Sequence, residues 1–461
     1  MRRSTIYFIA GAFLLFITAP LALHLLGRGE TESVENRSVA APPPPTPQDL
    51  VDADYYGTVT QYIKDTFPFR SEAVAADAEV DLLVGDSPNL SVTLGNDGWL
   101  FYAPTLQAPC FAEPHATKAV DQIRLMYRVA VATGRSFAFM IVPDKASIYP
   151  EYVRDGSDNG CRETNRDLLL EALAEGEPMP FVITLWSAIE TAKPENRRYF
   201  LTDTHWNDFG AQIGAEYLIE TLQPGLWERE HVIPSGSSST KRDLMSLIGL
   251  EHPEETEVLR VERPGVEVTR ASTGEGKQEV TSSEAGGPAD MIEQPTAIIR
   301  DSFFSPVQPM VAPYFSDVRS VEWFNLETDP ARELLQTSEV IVVETAERHF
   351  YNRILAGLGD RLVVALIDEL DATVLARSGK TPSSLTITSE EPTTGTHLVV
   401  VGEPLDGDIH IAVDGNGTST RSFSDGFVVI PLGADPFLSA TVTSDGSASI
   451  ADAWIVRIPP S

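Results

Sequence analysis

Phe137-Ala138-Phe139-Met140-Ile141-Val142, closed by Pro143, is the stretch that decides the fold. An unbroken apolar run without polar alternation describes a strand covered on both faces, the condition of a parallel sheet lying between helices. Apolar residues at helical spacing through 120–133, stopped at Gly134, lead directly into it. The same helix-then-strand order recurs at 168–174 before 181–186, and at 330–336 before 339–343. The pattern predicts an α/β body built on a parallel sheet. Residues 235–287 turn polar, rich in Ser, Thr, Glu and Gly, and read as an insertion or mobile loop with a few β-like stretches such as 257–261.

From about Ser384 the signal changes to alternating Thr- and Val-rich runs at 385–388, 397–401, 408–413, 426–431 and 439–443, separated by turn residues such as Asp414-Gly415-Asn416-Gly417. That spacing is expected of an antiparallel sandwich, so a small C-terminal all-β module is predicted. At the other end, residues 6–26 contain no acid, Lys or Arg, enough for about 30 Å of helix. Arg2 and Arg3 precede this run, which keeps the N-terminus cytoplasmic and places everything after Arg28 outside. No clear small-x-small cleavage pattern closes the run, and this favours one retained N-terminal transmembrane helix over a cleaved signal peptide. Residues 29–48, acidic and then Pro-rich at Pro42-Pro43-Pro44-Pro45, read as an extended spacer. The expected organisation is 1–28 cytoplasmic N-terminus and anchor, 29–48 linker, 49–383 α/β domain and 384–461 β module.

Charge narrows the partners. Against 34 Lys and Arg stand 67 Asp and Glu, a net charge of -33 that repels the phosphates a nucleic-acid binder must neutralise. A neutral or mildly acidic polymer fits this surface better than a strongly anionic one, unless Arg residues create a local positive groove. Cys110 and Cys161 are the only cysteines, and in an oxidising compartment the pair suggests a disulfide. Two unpaired small residues are the other reading.

Two segments carry chemistry. In Thr202-Asp203-Thr204-His205-Trp206-Asn207, a carboxylate two residues before a histidine can hold Nδ1, leaving Nε2 free as a general base. Taken alone, the pair reads equally as a helix-capping acid with a packed His, or as half of a metal site. Ala297-Ile298-Ile299-Arg300 reads as a buried strand running into Asp301-Ser302. A Ser on the turn after a strand stands at the carboxyl edge of a parallel sheet, where α/β folds place their sites, although a lone Ser there is also an ordinary cap. Lys145 and Tyr149, on the loop after 137–142, are candidates for lining a substrate groove, as is Trp206, whose plainer role is packing beside the site. His115, His231, His252, His349, His397 and His410 are scattered without ligand spacing, so neither a structural metal nor a cofactor is expected.

Four blocks occur in one order: Gly95-Asn96-Asp97-Gly98-Trp99-Leu100-Phe101-Tyr102, Val142-Pro143-Asp144-Lys145-Ala146-Ser147-Ile148-Tyr149-Pro150, residues 202–211, and Asp301-Ser302-Phe303. Together they resemble the alginate O-acetyltransferases of the AlgX and AlgJ type and related SGNH-like proteins of polysaccharide export, over roughly residues 49–350. The resemblance implies an SGNH hydrolase-like fold in which the Asp-His pair precedes the nucleophile. Ser302 would take the acetyl group, His205 would move its proton, and Asp203 would orient His205. It also implies an exported polysaccharide as acceptor and a multi-pass membrane O-acyltransferase as the source of acetyl. The chain departs from the pattern at Arg300, where many relatives carry Gly. That position's part in an oxyanion hole is therefore not carried over, and Arg300 stands as a substrate-contact candidate, with the backbone N–H of Ser302 the expected oxyanion donor. The β module sits where AlgX carries a carbohydrate-binding module, an expectation by analogy of position. Transfer of acetyl to a sugar hydroxyl is the leading reading. An acetylesterase using water, and a glycan-binding assembly protein without activity, are the rivals, the second disfavoured by the intact Asp203, His205 and Ser302.

Overall fold

The computed structural model describes residues 53–272, 279–286, 290–326 and 328–377, the strands between 384 and 458, and four helical positions between 7 and 18. The expected span at 6–26, those positions apart, and the spacer at 29–48 lie outside the described residues. Among the described residues no helix is long and apolar enough to cross a membrane.

Helices Ala53–Asp65 and Arg70–Val84 lead into a hairpin of β1 (Val92–Leu94) and β2 (Leu100–Tyr102). Its turn places Gly98 at φ +80°, a left-handed conformation that glycine adopts without penalty. The body then runs through β3 (Ser136–Val142), β4 (Val182–Thr184), β5 (Val232–Thr240), β6 (Glu254–Val261), β7 (Val266–Ser272), β8 (Glu279–Ala285), β9 (Thr296–Arg300), β10 (Asp317–Glu322) and β11 (Val340–Ala346). Seven of these form one sheet in the order β4-β3-β11-β9-β10-β8-β7. The first five strands of that order are parallel, and all but the first residue of β3 and every residue of β9 and β11 are buried, as their unbroken apolar runs require. Strands β8 and β7 add antiparallel to the edge, so the sheet is mixed rather than purely parallel. Helices Glu113–Ala132 and Asp208–Leu222 pack on β3 with their buried faces.

Residues 235–287 depart from the expected mobile loop. They include most of the β5–β6 hairpin, the short helix Asp243–Leu247 and the two antiparallel edge strands. Polar composition misled here because these strands bury little: β5 has no buried residue.

Beyond the body, β12 (Asp371–Arg377), β13 (Ser384–Thr393), β14 (Thr396–Glu403), β15 (Asp408–Val413), β16 (Asn416–Ser422), β17 (Phe427–Pro431), β18 (Phe437–Ser444) and β19 (Ser449–Arg457) form two four-stranded antiparallel sheets. The first of these strands begins at Asp371, ahead of the boundary that alternation alone placed at Ser384. Leu398, Val400, Ile409, Ile411 and Val442 fill a core of their own. Val399, Val429, Val456 and Ile458 belong instead to the apolar cluster of the α/β body.

Cys110 and Cys161 are bonded, with Cα atoms 4.7 Å apart, which fastens the loop ahead of helix Glu113–Ala132 to the first turn of helix Cys161–Ala174. Closing a loop of 51 residues is worth about 4 kcal/mol in the chain-entropy account.

Candidate active site

In the sheet order, β3, β11 and β9 are neighbours, so their carboxyl ends lie side by side. β3 delivers Asp144 and Lys145 to this edge, β11 delivers Glu347 and Arg348, and β9 delivers Asp301 and Ser302. The Asp301 carboxylate fixes the last of these turns. It accepts from the N–H of Phe303 at 2.9 Å, the N–H of Ala346 at 2.9 Å and the Arg353 guanidinium at 2.8 Å. Burial would raise Asp301, but Arg353 and the two N–H groups outweigh it and lower its pKa. The Asp301 N–H in turn donates to Glu344, whose fully buried carboxyl is pushed well up by desolvation and then by the charge of Asp301. Ser302 is left exposed at the top of the turn, between the buried side chains of Asp301 and Phe303.

His205 comes to this serine from the turn before helix Asp208–Leu222. Asn207 caps that helix by accepting from the N–H of Gly210, which sets where the chain leaves the turn. His205 Nε2 lies 2.8 Å from Ser302 Oγ, and His205 Nδ1 lies 2.7 Å from Asp203 Oδ1. An ionised carboxylate only accepts, so Nδ1 carries the proton and Nε2 accepts from the serine hydroxyl. Burial alone would raise the Asp203 carboxyl. The hydrogen bond and charge of His205, with the N–H groups of His205 and Asp243, outweigh it and hold it well below the usual carboxylate range. The imidazole rests 4.8 Å from the ring of Phe303, between centroids.

The four weaker candidates lie inside the protein rather than along a groove. Lys145, 4 % exposed, turns its amine under the 203–205 turn and donates to the carbonyls of Phe200 at 3.2 Å, Leu201 at 3.0 Å and Asp203 at 2.6 Å. Tyr149 is buried, and its hydroxyl accepts from the N–H of Arg198. Arg300 is buried with its guanidinium on Ser320, Glu322, Glu279 and the carbonyl of Asp301, so it extends along the sheet and not into the site. Trp206 is 1 % exposed and donates from Nε1 to the carbonyl of Phe303 at 2.8 Å, which makes it a packing residue. Lys145 and Tyr149 were expected to line a groove because the loop after a strand usually is exposed, and each is instead drawn in by a backbone partner far along the chain, while Trp206 takes the packing role that was its plainer reading.

Three residues around the turn escaped the sequence reading. Glu254 of β6 accepts from the N–H groups of Leu201 and Thr202 and from the Thr202 hydroxyl, and pairs with Arg197. Asp243 accepts from the N–H and hydroxyl of Thr204. Arg348 pairs with Asp144 at 3.2 Å and lies 4.8 Å from the Phe303 ring. No motif pointed to them, since each reaches the turn from a distant segment. Asp203, His205 and Asp243 are the grouping among the described residues with the ligand spacing of a metal site, and each of their ligating atoms already has a protein partner.

Residues 92–282 match the family described as "SGNH hydrolase-like domain, acetyltransferase AlgX". The chain thus carries an SGNH hydrolase-like domain on a mixed α/β sheet. Within that class the matched segment resembles proteins of the AlgX and AlgJ type. It is similar to the probable alginate O-acetylase AlgJ of Pseudomonas syringae pv. tomato, 24% identical over 197 residues that make up 42% of this chain and 48% of that protein. To the probable alginate O-acetylase AlgJ of Pseudomonas aeruginosa it is 27% identical over 193 residues, 40% of this chain and 48% of that protein. The match thus spans about half the length of these curated relatives. The solved O-acetyltransferase domain of Pseudomonas putida AlgJ aligns at a TM-score of 0.38 with 19% identity, covering 57% of this chain and 92% of that one.

Proposed function

We propose that this protein is an extracytoplasmic O-acetyltransferase that moves acetyl groups onto hydroxyls of an exported polysaccharide through an acetyl-enzyme at Ser302. The observation that carries the reading is an exposed serine hydroxyl 2.8 Å from an imidazole nitrogen whose other nitrogen is 2.7 Å from a carboxylate. Ser302 Oγ attacks the acetyl carbonyl carbon of an ester donor while His205 Nε2 takes its proton, and Asp203 balances the imidazolium. The N–H of Ser302 is the proposed donor to the developing oxyanion. The donor's ester C–O bond breaks, its oxygen takes the proton from His205, and the acetyl group stays on Ser302. A sugar hydroxyl then gives its proton to His205 and attacks the acetyl carbon, and the serine leaves and is reprotonated.

The apolar run at 6–26 supports a single-pass anchor that leaves the body outside the membrane, where a multi-pass membrane O-acyltransferase would supply acetyl. The likeness to alginate O-acetylases supports a polysaccharide acceptor, and the two antiparallel C-terminal sheets support a β-sandwich module that engages glycan. A second reading, acetylester hydrolysis, rests on the exposure of Ser302, which opens the acetyl-enzyme to water.

The test is incubation with an acetyl ester donor and candidate oligosaccharides, with acetylated sugar and free acetate measured by mass spectrometry. Sugar product identifies the transferase, and acetate alone identifies the esterase. Ser302→Ala, folded by circular dichroism, should abolish both. Retention of more than about a tenth of turnover, a factor of only ~1.4 kcal/mol in barrier, would remove Ser302 as nucleophile.

A further inference from the structure

The catalytic turn is held by a second carboxylate besides that of Asp203. Asp243 opens helix Asp243–Leu247, and its Oδ1 accepts from the N–H of Thr204 at 2.7 Å while its Oδ2 accepts from the Thr204 hydroxyl. That Oδ2 also lies 3.5 Å from His205 Nδ1. The N–H of Asp243 donates back to Asp203 Oδ2 at 3.2 Å. One residue therefore grips the turn at Thr204, orients the acid at Asp203 and places negative charge beside the base at His205.

We infer that Asp243 is a positioning residue for acyl transfer, holding the 203–205 turn and providing, with Asp203, a second carboxylate for the imidazolium that forms when His205 takes the serine proton. The inference rests on the roles proposed above for Ser302, His205 and Asp203. A neutral imidazole needs only one acceptor at Nδ1, and Asp203 supplies it. An imidazolium carries a full charge in a half-buried site, and a carboxylate at this range lowers its energy more than it lowers that of the neutral ring. The stabilisation is thus larger in the transition state than in the resting enzyme, which is the condition for raising kcat.

The charged groups facing Asp243 are Asp203 and His205 on the turn, Arg242 on its own segment, and Lys145 beneath the turn. Burial and the charge of Asp203 push the Asp243 carboxyl up, while His205 and Thr204 pull it down. The charge on Asp243 is therefore coupled to the charge on the ring.

Asp243→Asn keeps the shape and an oxygen acceptor but removes the charge. In the full chain, with 4-methylumbelliferyl acetate as probe, kcat should fall about tenfold with KM little changed, and the acid limb of kcat should move to lower pH because the ring loses a stabilising anion. Selectively 15N-histidine-labelled protein should show the His205 imidazole titrating at lower pH than in the wild type. Asp243→Glu should recover part of kcat. Unchanged ring titration and acid limb in folded Asp243→Asn would overturn the inference even if kcat falls, because support of the turn alone predicts that outcome. Should Asp243→Asn fail to fold, Asp243→Ser, which keeps an oxygen at the turn without the charge, decides by the same comparison of ring titration and acid limb with the wild type, and no change in either overturns the inference. Absence of any Ser302-dependent turnover would instead sink the acyl-transfer reading, and the ring titration would still report whether Asp243 acts on His205.

Discussion

Lys145 brings a positive charge to a place with almost no water, and three carbonyl oxygens receive it. Three acceptors need three N–H donors, which an ammonium supplies and a neutral amine does not. Burial nevertheless pushes the amine down to about 7 from 10.5, partly opposed by Asp243, Asp203 and Glu254. The folded value lies below the unfolded one, so between these two values the unfolded chain binds a proton that the folded chain does not. The stability contribution of Lys145 therefore rises with pH across that window and is lost as pH falls toward 7. Lys145→Met should remove this slope, as read by urea unfolding at several pH values. Because three buried carbonyls lose their donor, it should also cost about 2 kcal/mol near neutrality. Its effect on catalysis separates support from substrate contact: kcat should fall more than tenfold with KM nearly constant. A raised KM at normal kcat would return Lys145 to the groove-lining role that its place after β3 suggests in the sequence. Nothing in Val142-Pro143-Asp144-Lys145 tells which way the amine turns, because its acceptors lie 55 to 58 residues away.

At the scale of elements, helix Asp208–Leu222 transmits packing to Ser302 through Trp206. A Cβ on Gly214 would stand 2.6 Å from the Trp206 ring, and the same indole donates to the carbonyl of Phe303, one residue past Ser302. Gly214→Ala gains about 1 kcal/mol of helix propensity but forces a buried ring to move, typically a loss of 1–3 kcal/mol. The net expectation is a lower melting temperature and a larger fall in kcat than in stability. A more stable, fully active variant would show that the indole is free to shift. The strands and helices of the body were legible because their burial is periodic or continuous: Phe137 to Val142 and Ala297 to Ile299 could hardly be anything but covered strands. Asp203, His205 and Ser302, each ambiguous when read alone, stood out through the four blocks that resemble the AlgX and AlgJ type, and the structure brings the three side chains together. The hairpin β5–β6 and its Glu254 were not, since an exposed strand such as β5 has the composition of a loop and its role depends on what it touches.

Across the whole molecule, the C-terminal sheets are joined to the body through one continuous core. Val399, Val429, Val456 and Ile458 cluster with Ile123, Leu358 and Leu362 of the body, while the alternate residues Leu398 and Val400 join the separate cluster with Ile409, Ile411 and Val442. Alternation in the sequence predicted strands with one covered face, and did not show that the second face of β14 packs on the body. Cutting the chain ahead of β12 would uncover that face, so the stability of the body depends on these strands. His397 marks the seam. It is 8 % exposed, starts the alternation in β14 and borders a recess shared with Gln122, Arg128, Asp360 and Val429. Burial, then the charge of Arg128, hold its imidazole down to about 4 from 6.5. The folded value is the lower one, so stability from His397 is complete above 6.5 and is lost as pH falls toward 4, where the unfolded chain takes up a proton that the folded chain refuses. Unfolding free energy should therefore drop by a few kcal/mol across that window, on the order of one proton's worth of linkage. His349, also held down to about 4, contributes to the same window. His397→Gln should make the decline between pH 6.5 and 4 shallower without abolishing it, measured as the urea midpoint at matched ionic strength. Identical slopes in the two proteins would mean that His397 is hydrated in solution and that the seam opens without it.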